Sequence, residues 1–315
     1  MPRFDVTLAG ELNLDLIFYG VPEELPPERE LLADGMRLTL GSSSAIFAHN
    51  LSILGARVGF QSKIGKDMLG EIALERLRAG GVDVSQVRPS AHATQTGLTL
   101  ILQHRAWRNM ITYPGTIFEL MVEDLNFSYL SDSRHFHLSS FYLQRGLRPH
   151  YLELFQRIKS AGLTVSLDSN DDPDDQWKEG LDQVLPYVDV LLPNAREAQK
   201  ITGAGDVEGA IHRLAQKVPV VVVKLGAEGA VAQRGRERFA SPAVKVEAVD
   251  AVGAGDSFDA GFVSQYIRGA DLPTCLAYGN LAGAFSTTQP GGTEAFRDRE
   301  SWAEFLRAHT QRSTI

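Results

Sequence analysis

Gly253, Ala254, Gly255 and Asp256 stand between an extended, β-branched lead-in and a helix-like run over residues 256–268. Three small residues at such a junction gather backbone amides at a helix N-terminus, where unpaired N–H groups and the helix dipole make an anion site. A carboxylate in the first turn is tolerated by the same dipole and kept ionised. Amides and carboxylate then face one point. The pairing suits phosphoryl transfer to a hydroxyl, with Asp256 taking the hydroxyl proton while the amides of Gly253, Ala254 and Gly255 hold the charge on the moving group. The same four residues also fit a plain Gly-rich turn with an aspartate N-cap.

Other residues of chemical interest fall where strands should end. Residues 4–9 (FDVTLA) alternate apolar and polar types and meet Gly10, as a first strand would. Asn13 and Asp15, two apart in extended backbone, project to one side and can grip adjacent hydroxyls. Gly41 and Ser42 open a helix whose apolar residues keep helical spacing from Ala45 to Leu54. Residues 96–116 alternate around a turn near 105–108 and read as a hairpin. From Arg134 the rhythm becomes strand, loop, helix, the βαβ alternation of a parallel sheet, and such sheets place ligands at the carboxyl ends of strands. Ser139, Ser140, Asp168 and Asn170 fall at those ends. His135 and His137 share a strand face, but no third metal ligand has a fitting spacing. Asn194 and Glu197 form a capping box at a helix start. Lys224 ends an apolar strand and could meet a phosphate or face solvent, and Gly226 and Gly229 turn the chain after it.

Residues 250–262 (DAVGAGDSFDAGF) resemble the second signature of the ribokinase-like (PfkB) carbohydrate kinases, and the likeness runs from Asp5 to about Gly292. It implies a doubly wound α/β fold, mostly parallel and flanked by helices, with a small β-sheet lid from segments 13–40 and 94–118 of a single domain spanning residues 1–315. It implies ATP and magnesium as cofactors, with Asn194 and Glu197 holding magnesium through water. Gly226, Gly229, Asn280, Ala282 and Gly283 would border the nucleotide. Asp250 and Gly291 would lie by a monovalent cation such as potassium. In the lid, Arg105, Arg108 and Tyr113 become candidates to reach the substrate, and pairing of two copies through the lid is a family expectation. The first signature departs from the pattern: Ser42 replaces a glycine and Ile46 an asparagine, which predicts a less polar substrate edge than ribose.

Composition bounds the rest. The 315 residues are 43% hydrophobic and 22% charged, enough for a sizeable core. A net charge of −8 argues against nucleic acid or membrane as the main partner and leaves small polar ligands. The single Cys275 excludes an internal disulfide framework and any cysteine-based zinc site. With no signal-peptide pattern at residues 1–10, the cytoplasm is the expected location. There is no GxxxxGK[ST] loop and no GxGxxG after the first strand, which disfavours P-loop kinases and dehydrogenases. The expected activity is an ATP-dependent kinase for a small carbohydrate of the fructose, ribose or keto-deoxy sugar acid type. A nucleoside kinase, with Phe18, Tyr19 and Ile46 lining a base pocket, and a silent sugar-binding protein remain as alternatives.

Overall fold

A computed structural model of the chain describes residues 1–92, 94–104, 107–177 and 180–310. Arg105 lies outside the described residues. The strands are β1 (Val6–Ala9), β2 (Asn13–Tyr19), β3 (Gly35–Leu40), β4 (Val58–Ile64), β5 (Asp83–Pro89), β6 (Gly97–Gln103) and β7 (Arg108–Tyr113). They continue as β8 (His135–Leu138), β9 (Thr164–Leu167), β10 (Val190–Leu191), β11 (Val220–Lys224), β12 (Ala230–Arg234) and β13 (Glu237–Ser241). The helices are α1 (Ser43–Ile53), α2 (Met68–Ala79), α3 (Phe127–Ser131), α4 (Tyr151–Ser160) and α5 (Leu181–Val184). They are followed by α6 (Ala195–Thr202), α7 (Val207–Leu214), α8 (Ala254–Tyr266), α9 (Leu272–Ser286) and α10 (Arg299–Thr310).

Nine strands form one sheet in the order β13-β12-β11-β10-β9-β8-β1-β4-β5. From β11 to β5 every pairing is parallel, and β12 and β13 extend the sheet antiparallel. A parallel strand covered on both faces must be apolar throughout, which is why Val220 to Val223 and all four residues of β1 are buried. Separate apolar clusters cover the two faces, one built on α4, α6 and α7, the other on α1, α2, α8 and α9. The doubly wound arrangement expected from the sequence is therefore present. No described helix is long and apolar enough to cross a membrane.

The other four strands form a separate small sheet in the order β3-β2-β6-β7, with β6 and β7 the expected antiparallel hairpin. Register decides what each face carries, because partners across a ladder point the same way. Asn13, Asp15, Ile17 and Tyr19 share one face with Thr99 and Ile101 of β6, Arg108 and Thr112 of β7, and Thr39 of β3. The opposite face carries Leu16, Phe18, Leu38, Leu98, Leu100, Ile111 and Tyr113. That parity corrects two expectations. Tyr113 pairs with Leu98 on the outer face and is half exposed, and Phe18 pairs with Leu102 beside it; neither points toward Asp256.

α8 and α9 pack closely because small residues face each other. A Cβ at Gly261 would lie 2.4 Å from the Tyr278 carbonyl oxygen, and one at Gly279 2.8 Å from the Phe258 ring. That contact fixes the start of α8, where Asp256 sits.

Candidate active site

The site lies where the small sheet meets the carboxyl ends of the large sheet's strands. Gly253 takes the left-handed conformation (φ 70°) before Ala254 begins α8. The Gly253 carbonyl accepts from the Ser257 amide at 2.9 Å and from its hydroxyl at 2.7 Å, which anchors the turn. Among the described residues none accepts from the amides of Gly253, Gly255 or Asp256, while the Ala254 amide makes a long 3.4 Å contact to the Ala251 carbonyl. Gly253 and Gly255 are half-buried, and the first amides of a helix have no partner within it and attract anions. These point to a ligand anion, and the donor set is shifted by one residue from the sequence expectation, from Ala254 toward Asp256.

Asp256 is buried at the base of this turn. Its carboxyl is pushed up to about 6, by burial first and by the charge of Asp168 second, with Lys224 and the Ser43 hydroxyl opposing. Across the cleft, Asp15 is likewise raised to about 7, by burial and then by the charge of Asp256, with Arg108 opposing. The two carboxylates therefore sense each other, and Arg108 belongs to the same space. Asn13 stands beside Asp15, its amide nitrogen 3.4 Å from the Thr99 hydroxyl, which lies 3.1 Å from that of Thr112. Gly41 is required by close approach, since a Cβ there would come 2.2 Å from Asp15 Oδ1 and 2.9 Å from Asn13 Nδ2.

Ser42 holds a positive φ of 68° that usually falls to glycine. Its hydroxyl donates to the Glu11 carbonyl at 2.6 Å and accepts from the Ala45 amide, capping α1 in partial compensation. Ser140 and Asn170, at the ends of β8 and β9, also have positive φ, and the Asn170 side chain accepts from the Ser140 amide at 2.7 Å. Non-glycine residues of this kind clustered at strand ends mark a strained, positioned site.

Other placements differ from the sequence reading. Ile46 does not edge the substrate space: it packs beneath the turn, 3.1 Å from where a Gly253 Cβ would stand and 2.6 Å from one at Gly292. Asp168 pairs with Lys224 at 2.8 Å, so one of its oxygens is committed within the protein rather than free for an acceptor hydroxyl. Lys224 is mostly buried rather than solvent-facing, its side chain 11% exposed, and also pairs with Asp259 at 2.9 Å. Burial opposes its charge, yet Asp168 and Asp259 hold the ammonium above its ordinary range. Ala282 is fully buried in the α8–α9 contact, and Asn280 donates to the carbonyls of Ser241 and Pro242, so neither presents a free face to a base. Gly283 lies over the Ala254 carbonyl and Gly226 has open space around it, whereas Gly229 is forced by the Ser241 carbonyl 2.1 Å from its would-be Cβ.

Asp250 and Gly291 do meet, but through the Gly291 amide, which donates to Asp250 Oδ2 at 3.1 Å. The same oxygen accepts from the Tyr19 hydroxyl at 2.8 Å, and Oδ1 accepts from the Val252 amide. Both carboxylate oxygens of Asp250 are thus committed to donors of the protein itself. The bond from Tyr19 ties the small sheet to the segment leading into the turn. His135 and His137 use both ring nitrogens on the hydroxyls of Thr164, Ser166 and Ser139, and burial pushes both well below their usual range.

Three residues escaped the sequence reading. Glu11 is fully buried and accepts from the Ser44 amide, the Ser44 hydroxyl and the Ser140 hydroxyl, linking β1, α1 and β8. Ser43 borders Asp256. Asp259, three residues after Asp256, follows it on the same helical face. An acid at a strand end, as in Gly10-Glu11, was the available signal for the first; nothing in the spacing announced the partners of the other two.

Asn194 caps α6, its side chain accepting from the Glu197 amide at 2.9 Å while Glu197 Oε2 accepts from the Asn194 amide, the expected capping box. Glu197 is buried and raised to about 7, by burial and then by Asp168.

A family model described as "pfkB family carbohydrate kinase" matches residues 4–299. The chain belongs to that family. PfkB-family kinases are phosphotransferases acting on an alcohol group, and the chain is one of them. Among curated relatives it is 29% identical over 282 residues to a 2-dehydro-3-deoxygluconokinase of Bacillus subtilis, covering 85% of this chain and 87% of that protein. It is 30% identical to a cytidine kinase of Thermococcus kodakarensis, covering 87% and 93%. A solved structure described as a putative Ribokinase II of E. coli in complex with ATP and Mg2+ superposes with a TM-score of 0.84 at 25% identity, covering 97% of this chain and 99% of that one. The likeness covers both sheets, so the PfkB scaffold accounts for the small sheet as well as the large one.

Proposed function

We propose that this PfkB kinase moves the γ-phosphoryl group of ATP to a hydroxyl of a small carbohydrate of the fructose, ribose or keto-deoxy sugar acid type, with residues 1–315 as one domain and the small sheet as its lid. The observation that carries the reading is the buried, raised carboxyl of Asp256 beside the unpaired amides of Gly253, Gly255 and Asp256, facing the Asn13–Asp15 grip. Asp256 takes the acceptor hydroxyl's proton, and the amides receive the charge of the transferring group. Asn13, Asp15 and Gly41 hold the other hydroxyls, and Arg108 offsets the paired carboxylates.

The E. coli neighbour's ATP and Mg2+ support the choice of donor. The residues here fit magnesium: Glu197 is a buried carboxyl at the start of α6, raised by burial first and by Asp168 second, with Lys224 opposing. Among the described residues no cluster of three or more His, Cys, Asp or Glu is arranged to hold a metal alone. Asn194 and Glu197 would therefore hold magnesium through water, and the ion would screen phosphate charge. ATP being the donor, the cytoplasm is where this reading has the reaction run.

A nucleoside acceptor is less well served. Phe18 faces outward, Ile46 lies under the turn, and Ile17, Ile101 and Val252 close into a buried apolar contact just beyond Asp15. A panel of hexoses, pentoses, keto-deoxy sugar acids and nucleosides, assayed for ADP release and phosphorylated product, tests the reading. Product from a sugar supports it; binding without product, or a nucleoside outpacing every sugar, contradicts it. The outer face of the lid, with exposed Met36, Ile111 and Tyr113, suits pairing of two copies; a monomer by light scattering at micromolar concentration contradicts that.

The pH dependence follows from the two raised carboxyls. Both must be ionised for Asp256 to accept a proton and Asp15 to accept hydrogen bonds, and each ionises as pH rises through its folded value, about 6 and about 7. Thus kcat/KM for the acceptor is expected to climb between about pH 5 and about pH 8 and then level. Initial rates at constant ionic strength check this; a flat profile contradicts it.

A further inference from the structure

Lys224 ends β11, and its Nζ lies 2.8 Å from Asp168 Oδ2 and 2.9 Å from Asp259 Oδ2, with both carboxylates almost wholly buried. A Cβ added at Gly255 would stand 3.6 Å from Nζ, so the ammonium lies under the first turn of α8. Asp256 and Asp259, three apart, project from that helix on one side. We propose that Lys224 is a positioning residue for Asp256, its ammonium offsetting one of the two charges that Asp168 and Asp259 place beneath the base so that Asp256 is ionised at neutral pH, rather than a ligand of the nucleotide's phosphates. This rests on the reading of Asp256 as the base.

The charges around Asp256 make the case. Asp168 faces it from the end of β9, Glu11 from the end of β1, Asp15 from β2 and Lys224 from β11; Ser43 of α1 adds a hydroxyl, and Asp259 shares its helix. Lys224 is the one positive charge in that set, with Arg108 acting on Asp15 from the lid. Two of its three N–H donors are committed to Asp168 and Asp259. Its removal would leave buried carboxylates facing one another, and such groups relieve the repulsion by taking up a proton. The base would then be protonated where the enzyme works.

The test is the pH profile of kcat/KM together with the KM for ATP. Lys224→Met is expected to move the acid limb up by about one pH unit or more, lowering activity at neutral pH about tenfold or more, with recovery at alkaline pH and an unchanged KM for ATP. Lys224→Arg is expected to hold the limb near its original position. An unmoved limb with a raised KM for ATP, or a loss independent of pH, overturns the proposal. If Lys224→Met does not fold, Lys224→Gln removes the same charge while keeping a hydrogen-bond donor; an acid limb displaced upward supports the proposal and a limb equal to the original overturns it. The two readings fail separately: full turnover in Asp256→Asn removes the base itself, whereas an inactive Asp256→Asn with an unmoved limb in the Lys224 variants removes this inference alone.

Discussion

Replacing Asp256 by asparagine is expected to lower kcat at least about a hundredfold while the protein stays folded. Asparagine matches the shape of the carboxylate but cannot accept the acceptor's proton, so the acceptor still binds and only turnover is lost. Stability should move the other way. The folded carboxyl is raised to about 6 from an ordinary 3.8, so its ionisation opposes folding, an effect absent below the unfolded value and complete above the folded one. At neutral pH the neutral amide should therefore stabilise the fold by about 1–3 kcal/mol, discounted for lost attraction to Lys224. Urea unfolding of both proteins at pH 7 and pH 5 checks this, with the gap expected to shrink at the lower pH. Unchanged turnover would remove Asp256 from the mechanism.

Gly253→Ala and Gly255→Ala should fail for different reasons. At Gly253 the backbone has φ 70°, and an added Cβ would meet the Gly292 Cα at 2.6 Å and Ile46 at 3.1 Å. Backbone cannot move as a flexible side chain can, so this variant should lose stability and activity together, by about 2 kcal/mol or more for the conformation and the overlap combined. At Gly255 the added Cβ would meet only Lys224, at ordinary distance, inside a helix that prefers alanine. Its unfolding midpoint should hold or rise. Alanine keeps the amide N–H, so the effect on turnover comes from the added Cβ crowding a phosphoryl group drawn onto the first-turn amides, and a misplacement of about 1 Å costs on the order of a hundredfold in kcat. Stable but inactive Gly255→Ala would thus report a ligand the fold does not need; full activity would mean the anion binds elsewhere.

Much of this was legible in the sequence for a physical reason. The 250–262 stretch needs glycine where φ is positive and small residues where backbone meets backbone, and such demands leave a local trace. Asn13 and Asp15 were readable because a strand alternates with period two. The same periodicity misled at Tyr113, since a pattern gives parity within a strand but not which face turns inward; pairing with Leu98 settled that. Lys224 and Asp168 were recognised as chemical residues but given to ligands, because their partnership joins positions 56 apart that spacing cannot connect. At Ile46 the family position gives the residue type but not the hollow that Gly253 and Gly292 leave for it. The link from Gly291 to Asp250 runs through an amide donor 41 positions away, which spacing likewise cannot connect.

The most direct test is a crystal structure with ADP, magnesium, aluminium fluoride and the acceptor found by the panel. The account has the fluoride group about 3 Å from the amide nitrogens at the start of α8, in line with an acceptor hydroxyl that bonds to Asp256. A fluoride group held away from those amides, or an acceptor hydroxyl out of reach of that carboxylate, would contradict it.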